Sequence, residues 1–112
     1  MTCDAGQVVI VPFPFTDRGT TKKRPALVLS HKRFNRHGHT ILAMITSAAH
    51  APWPGDVHVT DLTAAGLVRP CLVRLKLFTL DNRFIERAAG RLAGVDRSRV
   101  ATEISAQVAV TG

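Results

Sequence analysis

Four apolar runs of strand length, none longer than ten residues and each cut off by proline, glycine or a polar cluster, constrain how this chain folds. Gln7-Val8-Val9-Ile10-Val11 is rich in β-branched residues and reads as a strand buried on both faces. It stops at Pro12-Phe13-Pro14-Phe15, where each proline removes a donor from any ladder. Arg24-Pro25-Ala26-Leu27-Val28-Leu29-Ser30 makes a second strand and residues 40–46 a third. In residues 71–80, Cys71, Val73, Leu75 and Leu77 share one face, while Arg74 and Lys76 form a basic outward face.

The segments between these runs are short and mostly polar. Residues 16–21 predict a mobile loop, so the first two strands form a hairpin with a long basic connection. Residues 31–39 are a polar connection carrying Lys32, Arg33 and Arg36. Residues 47–54 are a loop in which Pro52 and Pro54 frame the single tryptophan, Trp53. Residues 55–60 alternate as a half-exposed strand, and residues 61–70 leave room for one helical turn before Pro70. Residues 84–92 read either as a strand or as a short helix, with Gly90 favouring extended backbone. Beyond them Asp96 suits an N-cap, and Val100, Ile104 and Val108 recur every four residues as the apolar stripe of a terminal helix. The expected architecture is mostly β: a small, curved, barrel-like antiparallel sheet with short helices and a C-terminal helix, in one domain spanning residues 1–112.

Charge narrows the function. The chain carries 15 Lys/Arg against 8 Asp/Glu, a net charge of +7. Residues 18–55 hold seven of those cations, four of the five histidines (His31, His37, His39 and His50), and no acid. With 46% hydrophobic residues this is not a disordered basic tail. The pattern points to a polyanionic partner. No apolar run approaches the roughly 18 residues of a membrane span, and the N-terminus lacks the basic start and apolar stretch of a signal peptide. Cys3 and Cys71 form no C-x-x-C pair, which suits a reducing cytoplasm.

At this point the residues resemble a known family. Gly6-Gln7-Val8-Val9-Ile10-Val11, Lys23-Arg24-Pro25-Ala26-Leu27-Val28-Leu29-Ser30 and Ile45-Thr46-Ser47, in that order, are similar to the MazF/PemK toxins. Pro14-Phe15-Thr16-Asp17, Gly66-Leu67-Val68-Arg69-Pro70, Val73-Arg74, Phe78-Thr79-Leu80-Asp81 and Gly90-Arg91-Leu92 extend the match across residues 6–110. The resemblance implies an SH3-like β-barrel of the CcdB/MazF/PemK kind, forming a homodimer. It implies the toxin of a type II toxin–antitoxin system: a metal-independent endoribonuclease that cuts single-stranded RNA, chiefly messenger RNA, without a cofactor. A cognate antitoxin with an acidic tail would block its groove. The family's catalytic arginine and threonine fall on Arg24 and Thr46, and substrate contacts on Ser47 and Arg74. In some relatives an aspartate stands two residues after the matched arginine; here that position is Lys76.

Those residue types suit the implied chemistry. Attack by the ribose 2′-OH needs a proton acceptor, a proton donor and cations where charge develops. Arg24 offers a planar five-donor fork for phosphate oxygens. Arginine's ordinary pKa, above about 12, makes it a poor base, so charge stabilisation is its chief role. Thr46 offers a hydroxyl donor, and the sequence names no base. Lys22, Lys23 and Arg18 are candidates to gather RNA, and equally a solvated surface. Taken alone, Arg24 is an ordinary residue at a strand start and Thr46 an ordinary strand residue; the whole-chain resemblance singles them out. Trp53, Phe13 and Phe15 either stack on bases or pack in the core or dimer interface.

Three alternatives stand beside this reading. Two histidines acting as acid and base is one, and His37-Gly38-His39 superficially resembles half of a metal site. CcdB-like toxins, of the same fold, poison DNA gyrase by protein contact through a terminal Trp-Gly-hydrophobic tail, whereas this chain ends Val110-Thr111-Gly112. The third is an SH3-like RNA-binding module without catalysis.

Overall fold

The computed structural model describes residues 1–13 and 22–110. The loop expected over residues 16–21, together with Pro14, Phe15 and Arg18, lies outside them. Six strands build one antiparallel sheet: β1 (Gln7–Pro12), β2 (Lys23–Val28), β3 (His39–Ser47), β4 (Val57–His58), β5 (Cys71–Asp81) and β6 (Arg87–Arg91). Their order is β4-β5-β3-β2-β1-β6, so the four apolar runs of the sequence form the middle and β4 and β6 the edges. The sheet curls into a half-barrel. Three helices accompany it: α1 (Lys32–Asn35), α2 (Leu62–Ala65) and α3 (Gly94–Gln107). None among the described residues is long and apolar enough to cross a membrane.

Alternation sends each strand's side chains into two separate cores. Val8, Leu27, Ala43, Ile45 and Val73 pack on one face of the sheet, where Val100 and Ile104 of α3 cover them. Val9, Val11, Ala26, Val28, Leu42 and Phe78 pack on the other, closed by Cys3 and Ile85. β1 is therefore buried on both faces, as its unbroken apolar run predicts. Each fully buried Val or Leu contributes about 1.5–3 kcal/mol, so these two clusters dominate stability.

Several expectations change. Residues 31–39 contain α1, whose Asn35 is fully buried. Its amide donates to the carbonyls of Cys3 and Ser30, tying the N-terminus to the β2–β3 connection. Of the strand expected over residues 55–60 only β4 forms, because the chain turns immediately before it: Gly55 has φ +80° and the Asp56 amide donates to the Trp53 carbonyl. Residues 84–92 settle as a 3₁₀ turn (Asn82–Phe84) followed by β6. Gly90 has a packing reason: a Cβ there would lie 2.5 Å from the Ala64 carbonyl oxygen of α2.

Asp96 is not the N-cap. Ala93 occupies that place without a side-chain bond, and Asp96 sits in the first turn of α3, fully buried. Its carboxylate accepts hydrogen bonds from the Thr60 and Asp61 amides, the Thr60 hydroxyl and Arg99. Burial pushes the carboxyl up, but these donors outweigh it and hold it below the usual range. The acid thus fastens α3 to the segment entering α2. Asp96→Ala leaves those donors unpaired, and urea unfolding should show a loss of about 3 kcal/mol.

Candidate active site

The second core is apolar at one end and polar at the other. Beyond Ala26 and Met44, which pair across β2 and β3, the next residues on the same face of each strand are Arg24 and Thr46. Continuing that register two residues sets Arg24 opposite Thr46. On β5, Arg74 pairs with Met44 and Leu72 with Thr46, so Arg74 projects from the same face. Phe13 follows β1 on this side too. The side chains of Phe13, Arg24, Met44, Thr46 and Arg74 line one open cavity of about 240 Å³, together with His50 and Lys76. Residues from three strands and two loops thus converge on a space of nucleotide-fragment size.

Each wall has a local cause. Phe13 lies edge-on to Phe78, with ring centroids 5.9 Å apart, and the Arg24 guanidinium stands 5.6 Å from the Phe13 ring centre. That cation–π contact holds an arginine at the cavity edge without consuming its charge. Among the described residues Arg24 has no carboxylate partner. Thr46 is buried (6% exposed), and its hydroxyl has no hydrogen-bond partner among the described residues. No fully buried side-chain oxygen or nitrogen among them lacks a partner, so this hydroxyl meets solvent in the cavity.

Arg74 corrects the expected outward basic face. The alternation on β5 holds, but the face bearing Arg74 carries the second core, and Arg74 is buried, 9% exposed. Between Ala43 and Met44 the ladder slips, leaving Leu75 and Lys76 without counterparts on β3. Such a bulge bends the strand and re-aims its side chains. Arg74 donates from Nε and Nη2 to the two carboxylate oxygens of Asp56, at 3.1 and 3.0 Å, and from Nη2 to the Ala51 carbonyl at 2.8 Å. Among the described residues its Nη1 makes no hydrogen bond, and since no fully buried side-chain nitrogen among them lacks a partner, Nη1 is its open edge. Trp53 completes this corner, with Arg74 and Lys76 lying 5.6 and 5.2 Å from its ring centre.

The remaining sequence candidates disperse. Ser47 is exposed, points away from the cavity and accepts a bond from the Ala49 amide. Lys22 and Lys23 are exposed at the start of β2, and Lys23 pairs with Glu86. His37 lies in the α1–β3 connection and His39 opens β3, both outside the cavity lining. No group of three His, Cys, Asp or Glu side chains among the described residues is placed to hold a metal ion. Sequence reasoning missed Asp56, whose spacing from Arg74 carries no motif, and did not separate His50 from the other histidines.

Burial pushes the Asp56 carboxyl up, while the Arg74 hydrogen bonds and charge, with the Trp53 amide, bring it below the ordinary range. A carboxylate depressed in the native state adds stability that is complete above its unfolded pKa, about 3.9, and fades as pH falls through the native value. Asp56→Ala should cost about 3 kcal/mol at pH 7, since it strands a buried guanidinium. Denaturant melts repeated down to pH 3 should show the gap between the two proteins closing.

Comparison with known proteins bears on the family and the fold. A sequence-family profile described as the PemK-like, MazF-like toxin of type II toxin–antitoxin systems matches residues 4–108. No curated protein sequence is significantly similar. Among solved structures, an endoribonuclease in complex with its cognate antitoxin from a mycobacterial species superposes with a TM-score of 0.76 at 17% identity, covering 98% of each chain. Toxin MazF-mt6 of Mycobacterium tuberculosis gives 0.70 at 22% identity, over 88% of this chain and 91% of that one. A MazE–MazF structure from Deinococcus radiodurans gives 0.72 at 24% identity, over 95% of both.

Proposed function

We propose, from the premise that this chain belongs to the PemK-like, MazF-like toxins of type II toxin–antitoxin systems, that it is a metal-independent endoribonuclease cutting single-stranded RNA, messenger RNA foremost. The observation that carries the reading is the convergence of Arg24, Thr46 and Arg74 on one open cavity. In the proposed reaction the ribose 2′-oxygen attacks the adjacent phosphorus. The bond to the 5′-oxygen breaks, leaving a 2′,3′-cyclic phosphate and a 5′-OH end. Arg24, a cation with no carboxylate partner among the described residues, stabilises charge developing on the phosphoryl oxygens. The Thr46 hydroxyl donates to one of those oxygens, and the Nη1 edge of Arg74 contacts the substrate. In this scheme Ser47, Lys22 and Lys23, outside the cavity lining, serve the flanking strand, and Arg18 is assigned the same role from the sequence alone.

The partners follow the same logic. A cognate antitoxin with an acidic segment complements a chain of net charge +7, and the mycobacterial relative described above was solved with its antitoxin. The working form is a homodimer of single-domain chains acting in the cytoplasm, with no cofactor.

Purified protein incubated with mixed-sequence single-stranded RNA and EDTA should yield discrete cuts with cyclic-phosphate ends. Arg24→Ala and Thr46→Ala should each slow cleavage by about a hundredfold or more while RNA binding persists in part. Deoxyribose at the cut site should stop the reaction. A variant cutting at the wild-type rate refutes that residue's role, and intact RNA beside inhibited DNA gyrase refutes the nuclease reading.

A further inference from the structure

We infer that His50 is the proton acceptor of the proposed cleavage, an assignment that rests on the nuclease reading. The cavity shared by Arg24 and Thr46 contains no carboxylate among its described lining residues. Asp56, behind Arg74, has both of its oxygens engaged by that guanidinium. Phe13 and Met44 have no proton to exchange, and arginine and lysine side chains ordinarily hold theirs at neutral pH. Threonine is a donor with no basic site of useful strength. That leaves the imidazole, the one side chain whose ordinary pKa, about 6.5, lets it accept a proton at neutral pH.

The backbone holds His50 where this role requires. Its amide donates to the Ser47 carbonyl at 3.3 Å, closing a turn directly after Thr46 and β3. One residue further on, the Ala51 carbonyl accepts from Arg74 at 2.8 Å. His50 is thus bracketed between the end of β3 and an anchored guanidinium, and it is one of the residues that line the cavity. It stays exposed, so it can exchange its proton with solvent after each turnover. Among the described residues, the charged groups lining the same cavity are Arg24 from β2, and Arg74 and Lys76 from β5, with Asp56 paired to Arg74.

The step balances simply. Neutral imidazole takes the 2′-OH proton as the 2′-oxygen–phosphorus bond forms. The 5′-oxygen leaves with the bond's electron pair and takes a proton from water, and the imidazolium returns its proton to solvent.

The test uses an RNA that the wild-type protein cuts, followed as single-turnover rate against pH. Wild-type activity should rise with pH and then level off. His50→Ala should lose about a hundredfold or more in rate together with that inflection. Its affinity for the same RNA carrying deoxyribose at the cut site should stay within about twofold, which separates proton transfer from mere phosphate contact. Added imidazole should restore part of the lost rate, and His50→Gln, which preserves hydrogen bonding without basicity, should not. If the wild type cuts nothing, the nuclease reading and the His50 role fall together. If the wild type cuts and His50→Ala cuts equally fast, or keeps the inflection, the His50 assignment alone is overturned.

Discussion

Keeping Arg74 inside the fold is the constraint from which the polar end of the sheet follows. An arginine 9% exposed cannot be left unpaired, and no acid on β3 or β5 lies beside it. The chain meets the demand by folding residues 51–56 back across β5, so that Asp56 and the Ala51 carbonyl reach the same guanidinium. The Trp53–Asp56 turn, the shortness of β4 and the placement of Trp53 are consequences of that one pairing. So is the position of His50, which has nowhere to go between Thr46 and the anchored Ala51.

The cavity is affordable because the apolar core is already complete beside it. Val9, Val11, Ala26, Val28 and Leu42 seal the far end of the same face, and α3 seals the opposite face independently. The polar end can therefore carry, with little cost to the fold, a cation and a hydroxyl that have no carboxylate or hydrogen-bond partner among the described residues. The two helices nearest the edges are fixed by local devices rather than by area. Asp96 fastens the start of α3, and Gly90 and Gly66 let the backbones of β6 and α2 approach closely: a Cβ at Gly66 would lie 2.1 Å from the Ala89 carbonyl oxygen.

What the sequence shows and hides follows from the range of the forces involved. The four central strands were legible because β-branched runs between prolines have one economical use. Which side chains enter which core follows from alternation, whereas of the strand order only the pairing of the first two strands was legible. The length of β4 was hidden, since Arg74 and Asp56 are eighteen residues apart and nothing local announces their pairing. Asp96 looked like a cap because the cap pattern is local, whereas its partners, Thr60 and Asp61, are remote. At the candidate site, Arg24 and Thr46 were singled out only through the family resemblance, and the register of β2 against β3 is what gives them a common face. Ser47, adjacent in sequence to Thr46, points the other way for the elementary reason that neighbouring strand residues alternate.

The two arginines of the cavity are not equivalent, and the difference bears on the missing aspartate at position 76. Arg74 is neutralised at short range by Asp56, so what it presents to a phosphate is an N–H edge and a fixed position. Arg24 is held by the face of Phe13, which leaves its positive charge available to the cavity. In a phosphoryl transfer the negative charge on the phosphoryl oxygens increases toward the transition state, and a cation already in place, in a site of lowered dielectric, responds without rearrangement. Arg24 is suited to that task and Arg74 to orientation. A carboxylate at position 76 would offset part of this field; Lys76 places no such negative charge there. The same substitution removes a base from the site, and with Asp56 committed to Arg74, an imidazole supplied by the loop after β3 meets the need without weakening the field that Arg24 provides.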